Sequence, residues 1–255
     1  MDPGWSPVFN HDHHQTILTI LKALNRPLLE ETSAYFGGGT LLALKFNEYR
    51  WSQDIDILCP IQQGGYRSLR KAVFDHGYKA LFPGEIPFTL PRDIQADQYG
   101  IRLPIAVNGH NIKFEIIAEA RIILDPPDYP AWIPVPCLSL NDCFAEKLMA
   151  NADRFFDSGI RSRDLIDLAI LRVHAPVPEE AIQKAENAYP VIQPLIKALA
   201  DFQARPDYRK KCFEDLQIIN PATVIDGIDL LAADFTMTPT ERTLDEGKDL
   251  AGPRF

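Results

Sequence analysis

The fold of this 255-residue chain is decided by the stretch FGGGTLLALKFNEYRWSQDIDILCP, which runs from Phe36 to Pro60. It opens with three consecutive glycines, Gly37 to Gly39, and closes on an Asp-Ile-Asp-Ile alternation. Because side chains alternate between the two faces of a strand, this pattern predicts a strand over Ser52 to Leu58. Asp54 and Asp56 then share one face, and the isoleucines point into the core.

Two carboxylates on one face repel each other unless a cation lies between them. Mg²⁺ suits this position, with Mn²⁺ as the alternative, because hard divalent cations take oxygen ligands and share them with phosphates. The glycines precede an apolar segment for which Thr40 is the predicted helix N-cap. A glycine-rich turn that enters a helix lets backbone N–H groups approach phosphate oxygens. The stretch therefore predicts a metal site beside a phosphate-binding turn.

A two-metal site needs a third carboxylate, and the segment NIKFEIIAEARI, from Asn111 to Ile122, supplies the candidates. Its alternation predicts a strand that places Lys113, Glu115 and Ile117 on one face. We select Glu115 as the third acid. Glu119 is the rival, although it falls nearer the end of the strand.

The remaining pattern predicts an α+β first region at residues 1–138 and a helical second region at residues 139–255. In the first region we predict helices at Gln15–Asn25 and Tyr66–His76 and a hairpin that turns at Asn108-Gly109. The proline-rich segment Asp125–Pro136 excludes a helix or a central strand. Beyond it, the spacing of apolar residues predicts helices at Leu140–Asp157, Arg163–Val173, Pro178–Tyr189, Ile192–Gln203 and Asp207–Ile218. We expect the polar segment after Met237 to be loose.

Composition narrows the class of protein. A net charge of −9 argues against a protein that coats nucleic acid with a broad basic face. The four cysteines form no CxxC pair, so we expect buried free thiols. Neither a secretory signal nor a membrane-spanning apolar run is found, which predicts a cytoplasmic protein with no membrane partner.

The order of these motifs resembles the nucleotidyltransferase superfamily of the polymerase-beta type. More specifically, GGTLLALKF and DIDIL, followed by LNDCFAEKLMANADRF and RSRDLIDLAIL, resemble the AbiEii/AbiGii family of nucleotidyltransferase-like toxins. The resemblance covers about residues 15–175. It implies a mixed sheet flanked by helices, followed by a helical C-terminal region.

The resemblance also implies roles for individual residues. Gly38, Gly39 and Thr40 are expected to contact the triphosphate of a nucleoside triphosphate, and Asp54 and Asp56 to bind Mg²⁺. Glu115 stands where the family more often has an aspartate, and the extra methylene moves its carboxylate. Catalytic competence is for that reason less firmly implied than nucleotide binding.

The helical region carries further candidates. Lys147 is either a surface lysine or a point cation for the triphosphate. In RSRD we place Arg161 or Arg163 near the phosphates and let Asp164 orient an acceptor hydroxyl or a base. The alternative is a structural Arg–Asp network or a helix N-cap. Asp167, one turn after Asp164, shares its helix face.

Two other groups of residues are weaker candidates. The histidines at positions 11, 13 and 14 could bind a metal, but we expect them to be exposed on a polar N-terminal arm. The basic segment RPDYRKK, residues 205–211, could meet RNA phosphates, but we expect a solvated helix face instead.

The expected activity is Mg²⁺-dependent transfer of a nucleoside monophosphate from a nucleoside triphosphate to a hydroxyl. The resemblance implies an acceptor at a tRNA 3′ end or on a protein, and growth arrest relieved by a cognate antitoxin. Two alternatives stay open. One is a nucleotide- or partner-binding module of the same fold with weak catalysis, and the other is a small-molecule nucleotidyltransferase of the antibiotic-modifying type.

Overall fold

The computed structural model describes residues 9–107 and 109–247. Two compact units are present. The first comprises Met1–Lys45 and Ser52–Cys143, and the second comprises Phe46–Trp51 and Phe144–Phe255. The boundary that we predicted from the sequence followed residue 138, and the short segment Phe46–Trp51 was not predicted to leave the first region.

The first unit contains four α-helices and five strands among its described residues. The helices are α1 (Asp12–Ala23), α2 (Arg26–Glu31), α3 (Gly38–Lys45) and α4 (Gly65–His76). The strands are β1 (Tyr35–Gly37), β2 (Ile55–Pro60), β3 (Gln95–Ala96), β4 (Gly100–Val107) and β5 (His110–Glu119).

These strands form one mixed sheet in the order β1-β2-β5-β4-β3. The pair β2–β5 is parallel, and the other three neighbouring pairs are antiparallel. Helices α3 and α4 both pack against β2. An α+β fold with a mixed sheet is thus confirmed. Asn108, half of the predicted hairpin turn, lies outside the described residues, and Val107 pairs with His110 across it.

Buried and partly exposed residues alternate from Asp54 to Ile57, so one face of β2 lies against the core. Ile55 and Ile57 are fully buried, whereas Asp54 and Asp56 are partly exposed on the opposite face. Helix α3 follows a different rule, because its residues from position 40 to position 44 are all buried. A helix that is apolar on every side belongs inside the protein. The segment between the glycines and the aspartates is therefore a core helix.

Helix α2 was missed by the sequence analysis although a signal for it exists. The Asn25 side chain accepts a hydrogen bond from the Leu28 N–H, and Pro27 lies in the first turn. An asparagine cap followed by proline is a typical helix start. The helix is only six residues long, too short for hydrophobic periodicity to reveal.

The second unit is helical. Helix α5 (Leu140–Arg154) has the unit boundary in its first turn. It is followed by α6 (Arg163–His174), α7 (Glu179–Ala188), α8 (Ile192–Gln203), α9 (Pro206–Asp215) and α10 (Pro221–Asp234). Helix α10 was not predicted. Asn220 caps it, and at Gly227 an added Cβ would lie 2.2 Å from the Ala169 carbonyl oxygen, so α6 and α10 pack backbone to backbone.

Two sequence predictions in this unit are wrong. The segment after Met237 is not loose throughout its described part, because Glu246 is buried and forms an ion pair with Arg209 at 2.6 Å. Arg209 is itself fully buried, so the RPDYRKK segment is not one solvated basic patch. A guanidinium that donates to Glu246 and to three backbone carbonyls ties the C-terminal segment to α9.

The cysteine prediction is confirmed. None of the four cysteines forms a disulfide, and all four are buried. Burial raises the pKa of Cys59 to about 12 and that of Cys212 to about 11, which keeps both thiols protonated and unreactive. No helix in the described ranges has the length and apolar character that a membrane crossing requires.

Candidate active site

The glycine turn lies directly against the second aspartate of the pair. Gly37 in β1 is the register partner of Asp56 in β2. Gly38 has φ +70°, and a Cβ added there would lie 2.6 Å from Asp56 Oδ2. Both the positive φ and the close approach favour glycine at position 38, because any side chain there would be strained and would displace Asp56. The turn and the carboxylate are therefore one local structure.

The predicted third acid lies beside this aspartate. Asp56 and Glu115 are register partners in the parallel pair β2–β5. The same row continues to Arg102 in β4 and Gln95 in β3. Neighbouring side chains in one row share a face of the sheet, so glycine, aspartate, glutamate and arginine follow one another across it. The structure thus places Gly37, Asp56 and Glu115 next to one another.

Asp54 precedes β2, and its backbone is held by Thr40. The Thr40 hydroxyl donates to the Asp54 carbonyl oxygen at 2.5 Å and bonds the Ser52 hydroxyl at 2.8 Å. Thr40 is buried inside α3, so the prediction that it caps a helix is wrong. Its side chain instead fixes the segment that presents Asp54. The predicted contact of Thr40 with a triphosphate stays a prediction.

Histidines of α1 hold the same segment from the other side. His14 Nε2 lies 3.1 Å from the Ser52 carbonyl oxygen, and because a carbonyl only accepts, this nitrogen carries the hydrogen. His13 bonds the backbone of Gln53, and its pKa is lowered by burial and by the neighbouring His14. Both histidines are buried. The expectation of an exposed histidine arm is therefore wrong for these two residues.

Glu115 is held by two cations. Arg102 Nε lies 2.9 Å from Glu115 Oε1, and Lys113 Nζ lies 2.5 Å from Glu115 Oε2. Burial lowers the pKa of Lys113, but Glu115, Asp56 and Asp54 more than offset this, so its pKa lies above the ordinary value. The lysine ammonium thus interacts electrostatically with all three predicted acids. It supplies part of the positive charge that their clustering requires.

The rival acid, Glu119, has a different role. Its buried carboxylate accepts from the backbone N–H and the guanidinium of Arg121, at 2.6 Å in each case. It pairs with Pro60 at the far end of β2, four residues beyond Asp56. Glu119 therefore closes the end of the strand and lies outside the row that contains the aspartate.

The donor set fits a divalent cation at Asp54 and Asp56. Both contribute carboxylate oxygens, the type of ligand that Mg²⁺ prefers. Within the described ranges, no group of three or more His, Cys, Asp or Glu side chains is already arranged to hold a metal ion. Both carboxylate oxygens of Glu115 already face cations, Oε1 the Arg102 guanidinium and Oε2 the Lys113 ammonium. Binding of a metal ion by Glu115 stays a prediction.

In the second unit, Asp164 lies in a buried ionic cluster. Lys147 Nζ lies 3.0 Å from Asp164 Oδ1, and Arg154 Nε lies 2.7 Å from Asp164 Oδ2. Lys147 is 7% exposed, which rules out the surface-lysine interpretation. Burial raises the pKa of Asp164, but Lys147 and Arg154 outweigh it and hold the pKa well below the ordinary value. Asp164 is ionised and fully engaged with these two cations.

Asp167 completes the cluster. It accepts from Arg50 Nε at 2.6 Å, from the Tyr49 hydroxyl at 2.5 Å and from Lys147 Nζ at 2.6 Å. Burial and the charge of Asp167 raise the pKa of Tyr49 well above its ordinary value. The sequence analysis gave Tyr49 and Arg50 no role. Both follow helix α3 in an irregular segment, and no local pattern links them to a helix more than a hundred positions away.

The two arginines of the RSRD motif do not enter this cluster. Arg161 pairs with Asp215 and with the Ser158 carbonyl oxygen. Arg163 is the first residue of α6. The alternative of a structural Arg–Asp network therefore holds at Asp164 and Asp167, but with Arg50, Arg154 and Lys147 as the cations. The phosphate-binding roles of Arg161, Arg163 and Lys147 stay predictions.

A glycine turn, an Asp-x-Asp pair and a neighbouring glutamate thus lie together on one mixed sheet, in the order that the sequence analysis expected of a nucleotidyltransferase. A family model described as nucleotidyl transferase AbiEii toxin, Type IV TA system, matches residues 19–218. The chain belongs to this AbiEii nucleotidyltransferase family, which confirms the resemblance found in the sequence.

The chain is also similar to several solved structures. A protein of H. pylori with a provisional nucleotidyltransferase assignment is 18% identical, covering 88% of this chain and 92% of its own, with a TM-score of 0.48. JHP933 from Helicobacter pylori is 17% identical over 89% and 93% of the two chains, also with a TM-score of 0.48. The antibiotic-resistance factor ANT(2'')-Ia is 14% identical over 80% and 98%, with a TM-score of 0.29. A search of curated proteins found no match.

Proposed function

We propose that the protein transfers a nucleoside monophosphate from a nucleoside triphosphate to an acceptor hydroxyl. The observation that carries the proposal is the pairing of Asp56 with Glu115 in register, with Gly38 packed against the Asp56 carboxylate. Neighbouring carboxylates that bind divalent cations are used in cation-assisted chemistry on phosphates. Gly38 and Gly39 open helix α3, and we assign phosphate binding to backbone N–H groups at this helix N-terminus.

The reaction is an in-line displacement. The acceptor oxygen forms a bond to the α-phosphorus, the bond from the α-phosphorus to the bridging oxygen breaks, and pyrophosphate leaves with that oxygen. The proton of the acceptor hydroxyl is lost to a base. Positioning and charge neutralisation supply most of the rate in such displacements.

Asp54 and Asp56 would hold Mg²⁺ or Mn²⁺, which when bound neutralises triphosphate charge and favours the ionised acceptor oxygen. Thr40, Ser52 and His14 fix the backbone before β2 and so orient Asp54. Lys113 and Arg102 hold the Glu115 carboxylate in the same row. These are positioning roles.

We further propose that the acceptor is a tRNA 3′ end or a protein hydroxyl, and that the protein acts in the cytoplasm as the toxin of a toxin–antitoxin pair. The family description, with its Type IV toxin–antitoxin system, supports the toxin role and a cognate antitoxin. The competing function is a binding module of this fold that transfers nothing. The ion-paired state of Glu115 is the observation that favours it.

The test is incubation of the protein with Mg²⁺, each labelled nucleoside triphosphate in turn, and either total tRNA or total protein. We expect label on one acceptor class, and loss of that label in the Asp54→Ala, Asp56→Ala double variant. Asp75→Asn, which alters an exposed aspartate on α4, is the control and keeps activity. Nucleotide binding without transfer to any acceptor would establish the binding module instead.

A further inference from the structure

A cavity of about 400 Å³, here called the α9 cavity, lies in the second unit. Its walls come from helix α9, from the segment that joins α9 to α10, and from residues 243–246. Pro206, Phe213, Ile218 and Pro221 give it an apolar lining. An apolar cavity of about 150 Å³ is enough to hold a benzene ring, so the α9 cavity has room for a phenylalanine side chain.

The α9 cavity carries surplus negative charge. Asp207, Glu214 and Asp245 line it, and none of the three forms an ion pair with another residue in the described ranges. Lys210 is the single cation among the described lining residues. The remaining acid, Glu246, is already neutralised by a buried arginine. An apolar cavity with surplus carboxylates is complementary to a group that is both apolar and cationic.

Helix α4, in the first unit, presents a group of that kind. Phe74 is 89% exposed, more than any other large apolar side chain in the described ranges. Arg70 and Lys71 lie one turn before it on the same helix face, and Arg67 lies two turns before it. Tyr78, four residues after Phe74, is 38% exposed. We call these five residues the α4 face.

Two cations of the α4 face are available to a partner. Lys71 is bound to Asp75, but Arg67 and Arg70 form no ion pair with any described residue. Residues Gly65–Ala80 contain four cations and one acid, in a chain whose net charge is −9. An exposed aromatic ring among arginines has the composition of a binding hot spot. The α4 face therefore suits an acidic partner with an apolar recess.

We propose that the chain associates with a second copy of itself, with Phe74 of one copy held in the α9 cavity of the other. The arginines of the α4 face then meet the carboxylates that line the cavity. The contact is heterologous, because each copy uses α4 for one neighbour and the cavity for the next, so copies add head to tail. Neither surface contains Asp54, Asp56 or Glu115, and self-association is for that reason separate from nucleotide transfer.

Sedimentation velocity of the purified chain over about 5–500 µM tests the association, since small interfaces bind weakly. The average mass should rise with protein concentration, and less so at high salt, which screens the charges. Phe74→Ala should weaken association about tenfold, because burial of the ring is lost. The control is Phe156→Ala, which removes a ring that is 75% exposed in the second unit and should leave association unchanged.

A mixture of two variants tests the specific pairing. Phe74→Ala keeps the cavity and lacks the ring, whereas the Asp207→Lys, Glu214→Lys double variant keeps the ring and reverses the charge of the cavity. Each variant alone should be monomeric where the wild type associates. An equimolar mixture should form a one-to-one complex and nothing larger, because a single junction stays intact.

The Glu179→Lys, Glu180→Lys double variant is the control for charge reversal, since both acids are exposed in the first turn of α7 and do not line the cavity. It should associate as the wild type does. A wild-type chain that stays monomeric over the whole range would overturn the inference and leave the two surfaces to different partners. So would association that Phe74→Ala leaves unchanged, or a mixture that stays monomeric at concentrations where the wild type associates.

Discussion

Asp56 and Glu115 are direct neighbours in the parallel pair β2–β5, although they lie far apart in the sequence. Two carboxylates in one row of a sheet are unfavourable unless cations compensate them. Lys113 and Arg102 compensate Glu115 from one side. We propose that a bound divalent ion compensates Asp54 and Asp56 from the other.

The glycine turn gives the first prediction. Gly38→Ala forces a Cβ to within 2.6 Å of Asp56 Oδ2 at a φ of +70°. We expect transfer to fall by about 100-fold, because displacement of a reacting group by about 1 Å has that effect. Initial-rate measurements at saturating nucleotide will check this.

The matched control is Gly64→Ala. Gly64 also has a positive φ, of +81°, but nothing lies within 4 Å of the place that an added Cβ would take. It should lose about 1 kcal/mol of stability from the backbone conformation alone and keep its transfer rate. Equal rates for the two variants would show that the contact with Asp56 is irrelevant to activity.

Thr40 gives the second prediction. Thr40→Val keeps the shape of the side chain but removes the hydroxyl that donates to the Asp54 carbonyl. We expect about a tenfold loss of transfer rate with a small change in the KM for nucleotide. Thr40→Ser restores the hydroxyl and should restore the rate. A valine variant with the wild-type rate would exclude the positioning role.

The buried ionic cluster gives the third prediction. Asp167→Asn leaves Arg50 and Lys147 without their shared carboxylate in the interior. We expect a loss of about 3–5 kcal/mol in the free energy of unfolding, measured by urea denaturation. The same change at the exposed Asp75 should leave the free energy of unfolding nearly unchanged, because solvent screens its ion pair with Lys71. Similar losses at the two positions would contradict the account.

The same cluster predicts how stability depends on pH. Lys147 and Arg154 lower the pKa of Asp164, and Arg50 and Lys147 lower that of Asp167, in each case against the effect of burial. A lowered folded-state pKa stabilises the fold above the unfolded value of about 3.9, and this contribution is lost as pH falls through the folded value. Stability should therefore drop steeply below about pH 4. Asp164→Asn should flatten this limb of the curve, and an unchanged limb would contradict the assignment.

Local sequence patterns predicted the residues at the centre of the site. Alternation placed Ile55 and Ile57 inside and the two aspartates outside, and the same rule selected Glu115 from its strand. Period-two alternation is enforced by burial of one face, so it survives in any sequence that forms such a strand. Which strand Glu115 would join, however, follows only from the order of strands in the sheet.

The contacts that sequence patterns missed are long-range and irregular. Thr40 looked like a helix cap, but its hydroxyl serves the backbone of Asp54, and the histidines of α1 became buried against the same segment. Arg50 gave no signal, because its partner Asp167 belongs to a distant helix. Such pairings depend on tertiary packing and produce no periodic pattern in the sequence.

The central claim is transfer of a nucleoside monophosphate at Asp54 and Asp56, and the position of the transferred label tests it most directly. Parallel reactions should contain the same nucleoside triphosphate labelled at the α-phosphate or at the γ-phosphate, with the acceptor purified afterwards. We predict acceptor label from the α-phosphate alone, and none with Asp56→Asn. Label from the γ-phosphate, or α-label that persists in Asp56→Asn, would contradict the account.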